Sequence, residues 1–85
     1  MKQRSNNRYN EREFYTKDIG EAAALLTAHI QLIRLERENT FFWFVFENKD
    51  CELIRSAYWS GELNQSVKLY NANLRWLKDR VFAQR

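Results

Sequence analysis

The fold is organised around one stretch of six residues, Phe41-Phe42-Trp43-Phe44-Val45-Phe46. Aromatic and β-branched side chains favour extended strands. A strand with one face in water alternates apolar and polar residues, but every position of this run is apolar. We therefore predict a central strand over Phe41–Phe46 that is either covered on both faces or presents an aromatic surface for binding.

Two further strands are predicted before this one. A short strand is expected over Phe14–Lys17, and a longer one over Gln31–Arg37 with Ile33 and Leu35 on one face. Asn39, which tolerates positive φ, is the expected turn between the longer strand and the central one. Charged residues mark edge strands, so the apolar strand is expected to lie between the other two.

A first helix is predicted from Ile19 to about His29. Asp18 is a typical N-cap, and Glu21 stands three residues later, as a capping-box partner would. Apolar residues then recur at helical spacing. This segment is therefore expected to pack closely on the sheet.

Two more helices are predicted after the central strand. One begins after Asn48 or Asp50, runs to about Ser60, and ends at Gly61 as a left-handed C-terminal residue. The last runs from a cap at Asn64 or Ser66 to about residue 82. Its expected buried stripe is Val67, Leu69, Tyr70, Leu74, Trp76, Leu77, Val81 and Phe82.

These elements predict the order β-α-β-β-α-α and the α+β class. We expect a three-stranded antiparallel sheet of order 1-3-2 with helices mainly on one face. Residues 1–12 are interpreted as a flexible basic N-terminal arm, because they are polar and rich in Asn and basic residues. Residues 13–85 are interpreted as a single α+β domain.

Composition favours a small cytoplasmic domain. Thirteen Phe, Tyr and Trp rings in 85 residues are enough for one dense core. Cys51 is the single cysteine and cannot form a disulfide within the chain, whereas small secreted domains usually need several. The N-terminus has no apolar run typical of a signal peptide, and no stretch approaches the ~20 apolar residues that span a bilayer. No membrane partner is expected.

Basic residues are concentrated at the two ends of the chain, and they make nucleic acid a possible partner. The arm contributes Lys2, Arg4, Arg8 and Arg12, and the last helix contributes Arg75, Lys78 and Arg80. Asn71, Asn73 and Arg75 are residue types that reach base edges. The alternative is that the basic residues of the helix only complement its dipole, or occupy a solvated face.

Aromatic residues predict a second kind of surface. Phe41, Trp43, Trp59 and Trp76 are candidates for a protein-interaction or homodimer contact, because aromatics are enriched at interface hot spots. The central strand shares its aromatic content with the base-stacking strand of RNA-recognition domains, but it lacks the preceding Lys/Arg-Gly and has Trp43 where a small residue is needed. Core packing with a dimer contact is the favoured interpretation of this strand.

The sequence predicts a non-enzymatic domain with no cofactor and no metal. His29 has no accompanying nucleophile motif, and Cys51 is expected to be a small buried residue. One His and one Cys cannot supply a typical zinc site, and the two glycines, Gly20 and Gly61, form no phosphate-binding loop.

From Phe14 onward, the chain resembles a family of short bacterial and phage domains of unknown function. The resemblance rests on the early Phe14-Tyr15 pair, an alanine-rich helix and the strand ending Phe44-Val45-Phe46. It continues in the turn Tyr58-Trp59-Ser60-Gly61 and in the pair Leu77-Lys78 of the last helix. The resemblance implies a microbial or phage origin and no activity.

Overall fold

The computed structural model describes residues 12–84. The elements are β1 (Glu13–Thr16), α1 (Ile19–Thr27), β2 (Leu32–Glu38), β3 (Phe41–Glu47), α2 (Cys51–Ser60) and α3 (Val67–Ala83). The predicted α+β class, the order β-α-β-β-α-α and the antiparallel sheet of order β1-β3-β2 are confirmed. Lys2, Arg4 and Arg8 of the predicted arm lie outside the described residues.

β3 is the centre of the sheet because it pairs with both other strands. Its register places Val45 opposite Tyr15 of β1 and Arg34 of β2. Phe44 and Phe46 belong to the core cluster under the helices and are almost fully buried. The strand is therefore apolar throughout because both of its faces are packed.

α1 is the most deeply buried helix. Ala22, Ala23, Ala24 and Leu25 have no exposed surface, and the helix packs against both α2 and α3. Asp18 is its N-cap, as predicted, and accepts a hydrogen bond from the Glu21 N–H at 2.8 Å.

The predicted extension of this helix to His29 is wrong. α1 ends at Thr27, because His29 adopts a left-handed conformation with φ 69°. The Ile30 N–H then bonds back to the carbonyl of Leu25 at 3.1 Å, the backbone pattern of a Schellman cap. Ile30 is thereby placed in the core.

The predicted assignment of β2 side chains to the two faces of the sheet is also wrong. The pairing with β3 shifts between Leu32 and Arg34, which marks a bulge or irregularity that breaks simple alternation. Leu32 and Leu35 both pack against the core, whereas Ile33 is 43% exposed. Arg34 is left on the face away from the helices, opposite Val45.

The buried stripe of α3 is narrower than predicted. Tyr70, Leu74, Leu77 and Val81 pack against the core. The other predicted members are exposed, because α3 packs mainly on α1 and buries only the face turned toward it. These exposed residues are Val67, Leu69, Trp76 and Phe82.

Turns and caps follow the sequence closely. Asn39 and Gly61 have the expected positive φ of 54° and 82°, and Ser66 caps α3 by accepting from the Leu69 N–H. Asp50 occupies the N-cap position of α2 with φ 62° but makes no side-chain capping bond. β1 begins and ends one residue earlier than predicted, which leaves Lys17 beyond the strand. Among the described residues, no helix is long and apolar enough to cross a membrane.

Candidate functional site

The exposed side of α3 carries a row of basic and amide side chains. Lys68, Asn71, Arg75 and Lys78 follow one another at intervals of three or four residues, and all four are exposed. This spacing aligns side chains along one helix face, over about 15 Å for ten residues. We call these four residues the α3 basic row. Asp79 lies beside the row, one turn beyond Arg75. The row and this neighbour together carry three cations and one carboxylate.

The other predicted residues of the last helix lie elsewhere on its surface. Arg80 is half-buried, with its guanidinium carbon 4.9 Å from the centre of the Trp76 ring. Asn73 donates from its side-chain amide to the Thr27 hydroxyl at 3.0 Å, so it contacts α1. Of the predicted base-reading residues, Asn71 and Arg75 therefore share the exposed face with Lys78.

Arg12 is the only predicted arm residue within the described range. It lies in an exposed turn before β1, and its backbone carbonyl accepts from the Asn48 N–H at 3.0 Å. This bond ties Arg12 to the residue that follows β3.

We call the sheet face opposite the helices the open sheet face. Side chains of its own strands cover it. The Trp43 ring makes edge contacts with Tyr15 at 6.1 Å and Phe41 at 5.6 Å between centroids. Its indole N–H donates to Glu38 at 2.8 Å. Val45 lies fully buried in this face. β3 is therefore covered by the helices on one face and by a layer of strand side chains on the other. The predicted interaction residues Phe41 and Trp43 are half-buried members of this layer.

Arg34 is the polar centre of the open sheet face. Its two terminal nitrogens lie 3.0 Å from the two carboxylate oxygens of Glu13, and its Nε lies 2.7 Å from Glu36. The Tyr15 hydroxyl accepts from Arg34 at 3.0 Å. Hydrogen bonds from Arg34 hold the pKa of Glu13 below its usual value, while burial and the nearby Glu36 charge raise the pKa of Tyr15. Sequence reasoning missed this cluster, although Arg34 and Glu36 stand two apart in a strand, as same-face partners do.

Among residues 12–84, the open sheet face carries more acidic than basic groups. Glu13, Glu36 and Glu38 all make hydrogen bonds in this layer. The cations that the described residues add to this layer are Arg34 and Lys17, whose ammonium lies 5.9 Å from the Trp43 ring centre. This balance distinguishes the open sheet face from the basic row on the opposite side of the molecule.

The remaining predicted interaction residue, Trp59, lies on α2 and is 61% exposed. Its indole N–H donates at 2.7 Å to Glu21, a carboxylate that is only 4% exposed. Through this hydrogen bond, Glu21 joins α1 to α2. Trp59 combines a structural hydrogen bond with a ring face open to solvent.

The single cysteine is buried, whereas the single histidine is exposed. Cys51 is fully buried at the start of α2, with its sulfur 3.5 Å from the Glu47 carbonyl, and burial raises its pKa. His29 is exposed in the turn after α1. In residues 12–84, no three His, Cys, Asp or Glu side chains come together as metal ligands would.

Comparison with known proteins identifies no relative of this chain. No family model matches the chain, and neither curated proteins nor solved structures give a match. The resemblance to bacterial and phage domains stays a prediction from the sequence. Two of its motif residues have clear structural roles, because Gly61 ends α2 with positive φ and Leu77 is fully buried in the core.

Proposed function

We propose that this protein is a non-enzymatic nucleic-acid-binding domain that docks through α3. The α3 basic row carries this proposal. Lys68, Arg75 and Lys78 form no ion pair within residues 12–84, so their charges are available to phosphates. Phosphate neutralisation supplies most of the non-specific affinity of proteins for DNA.

Duplex DNA is the form that the shape of α3 favours. The major groove is about 12 Å wide and admits an α-helix. Asn71 and Arg75, at the middle of the row, are the side-chain types that pair with adenine and guanine edges. Lys68 and Lys78, at its two ends, are suited to the flanking phosphates. The basic residues of the arm would add phosphate contacts beside the groove.

The open sheet face gives less support to nucleic-acid binding. A phosphate backbone approaching it would meet the carboxylates Glu13, Glu36 and Glu38. Base stacking requires an accessible ring face, and the Trp43 ring is half-buried against Tyr15 and Phe41. The proposal therefore places binding on α3.

Fluorescence anisotropy with a labelled duplex of about two turns, from about 50 to 200 mM salt, tests this proposal. We expect affinity to fall with salt, and the triple variant K68Q/R75Q/K78Q to reduce the log–log slope by about 2 to 3, at roughly 0.9 per phosphate contact. The control variant K49Q/R55Q removes two charges that lie outside α3 and should keep most of the slope. Absence of binding, a flat salt response, or equal slope loss in both variants contradicts the proposal.

Self-association is a second candidate function, favoured by exposed apolar side chains on the helical layer. Leu69 and Trp76 stand seven residues apart on one flank of α3 and are 42% and 44% exposed. Trp59 adds a further exposed ring on α2. Light scattering from micromolar to millimolar concentration tests this function. A mass that stays monomeric throughout would remove it, whereas a dimer that Trp76→Glu dissociates would support it.

A further inference from the structure

A cavity of about 480 Å³ opens at one end of the sheet. Four segments line it: Lys17 after β1, Ile19 at the start of α1, the β2–β3 hairpin, and Val81 near the end of α3. Its volume falls within the ~300–1,000 Å³ of ligand-binding pockets. We call it the sheet-end pocket. It shares no residue with the α3 basic row, and it borders the open sheet face at Lys17 and Phe41, which both lie beside the Trp43 ring.

The inner wall of this pocket is apolar. Phe42 and Phe44 from β3 are 9% and 3% exposed. Ile19 and Val81 are partly buried side chains that pack beside them. Such a wall favours a hydrocarbon or an aromatic ring over a free inorganic ion.

The rim of the pocket holds two cations above aromatic rings. The Lys17 ammonium lies 5.0 Å from the centre of the Phe41 ring, and the Arg37 guanidinium carbon lies 5.9 Å from that of Phe42. Within the described part of the chain, the Arg37 guanidinium makes one hydrogen bond, from its Nε to the Asn39 carbonyl at 3.4 Å. Its terminal nitrogens make none there, and they have the geometry to bind a carboxylate at two points.

The acidic residues nearest to these cations in sequence are used elsewhere. Asp18, next to Lys17, caps α1 at 2.8 Å from the Glu21 N–H. Of the two neighbours of Arg37, Glu38 accepts from the Trp43 indole at 2.8 Å and Glu36 accepts from the Arg34 Nε at 2.7 Å. Among the described residues that line the pocket, the charged ones are both cations. The rim is therefore suited to a negative group.

We propose that the sheet-end pocket binds a small aromatic carboxylate. The carboxylate pairs with Arg37 and Lys17 at the rim, and the Thr40 hydroxyl lines the same cavity. The ring lies against Phe42 and Phe44, where aromatic pairs gain from edge or offset contacts. The inference goes beyond nucleic-acid binding, because it concerns another surface and another class of ligand.

Amide NMR titration with naphthoate tests the proposal, with naphthylmethylammonium as a probe of similar shape and opposite charge. We expect saturable shifts at Lys17, Thr40, Phe41 and Val81 with naphthoate, and none that saturate with the cation. Arg37→Gln should weaken binding about tenfold, since charge-assisted bonds are the strong ones, and Arg37→Lys should weaken it less. Lys49→Gln, which removes a charge outside the pocket, should leave it unchanged.

Each other outcome overturns the proposal. Equal binding of the two probes would show that the pocket binds them through its apolar wall alone and does not recognise the carboxylate. Shifts centred away from these four residues would place the ligand elsewhere. Unchanged affinity in Arg37→Gln, or no saturable naphthoate binding, would remove the anion site. Lys17 and Arg37 are both exposed, and the dispersion of each variant's amide spectrum reports that it is folded.

Discussion

Arg34 ties all three strands together on the open sheet face. It lies on β2 and forms a two-point ion pair with Glu13 of β1, across the intervening β3. The side chains of Arg34 and Glu13 are 40% and 24% exposed, so water screens the pair only in part. Partly exposed bidentate pairs are stronger than ordinary surface pairs, whose median contribution is about 0–1 kcal/mol.

We predict that Glu13 and Arg34 couple energetically and that this coupling depends on pH. A double-mutant cycle with Glu13→Gln and Arg34→Met should give about 0.5–1 kcal/mol at neutral pH in urea unfolding. The pKa of Glu13 is lowered in the folded state, so this stabilisation is complete above the ordinary carboxyl value of 4.5. It is lost as the pH falls through the lowered folded value.

The pair Glu52–Arg55 serves as the control for this cycle. It lies on α2 with side chains 67% and 47% exposed, so its coupling should be no more than about 0.5 kcal/mol. Equal coupling in the two cycles, or a Glu13–Arg34 coupling that persists in acid, would show that the open sheet face does not depend on this ion pair.

α1 can lie close to α2 and α3 because its position 20 is a glycine. A Cβ added at Gly20 would overlap the Tyr58 hydroxyl and lie 3.3 Å from that of Tyr70. Tyr70 donates to the Gly20 carbonyl at 3.1 Å. Burial, followed by the hydrogen bond with Tyr70, raises the pKa of Tyr58 to about 12. The two tyrosines thus join α2 and α3 to the first turn of α1.

We predict that Gly20→Ala destabilises the protein, although alanine favours helices by about 0.5–1 kcal/mol over glycine. Overpacking of this kind costs about 1–3 kcal/mol and should exceed that gain. In the Tyr58→Phe background the overlapping oxygen is gone, so the same substitution should cost less or stabilise. Thermal unfolding of the four proteins measures this. An equal cost in both backgrounds would contradict the close contact between α1 and α2.

The elements most visible in the sequence are those with a single dominant pattern. The apolar run of β3 and the charges of its neighbours predict the strand order, and Asp18 and Gly61 mark helix ends. The register shift in β2 left no local signal, so Ile33 was placed on the wrong face. The exposure of Trp76 depends on how few elements cover α3, which is a tertiary property that periodicity along one helix cannot report.

The whole molecule has two unlike sides. Within residues 12–84, the helical layer presents the α3 basic row, while the open sheet face combines half-buried rings with more carboxylates than cations. The sequence groups Arg75, Lys78 and Arg80 as one basic set, whereas the structure places Arg80 against the Trp76 ring, a contact that charge alone does not show. If α3 binds a polyanion as proposed, this separation of charge predicts a single docking orientation.

An amide NMR titration with a short DNA duplex tests the central claim, that α3 is the nucleic-acid-binding element. We predict that the largest shifts fall on Lys68, Asn71, Arg75 and Lys78 and disappear in K68Q/R75Q/K78Q. Amides of β3 should move little. Shifts concentrated on the open sheet face, or none on α3 at duplex excess, would contradict it.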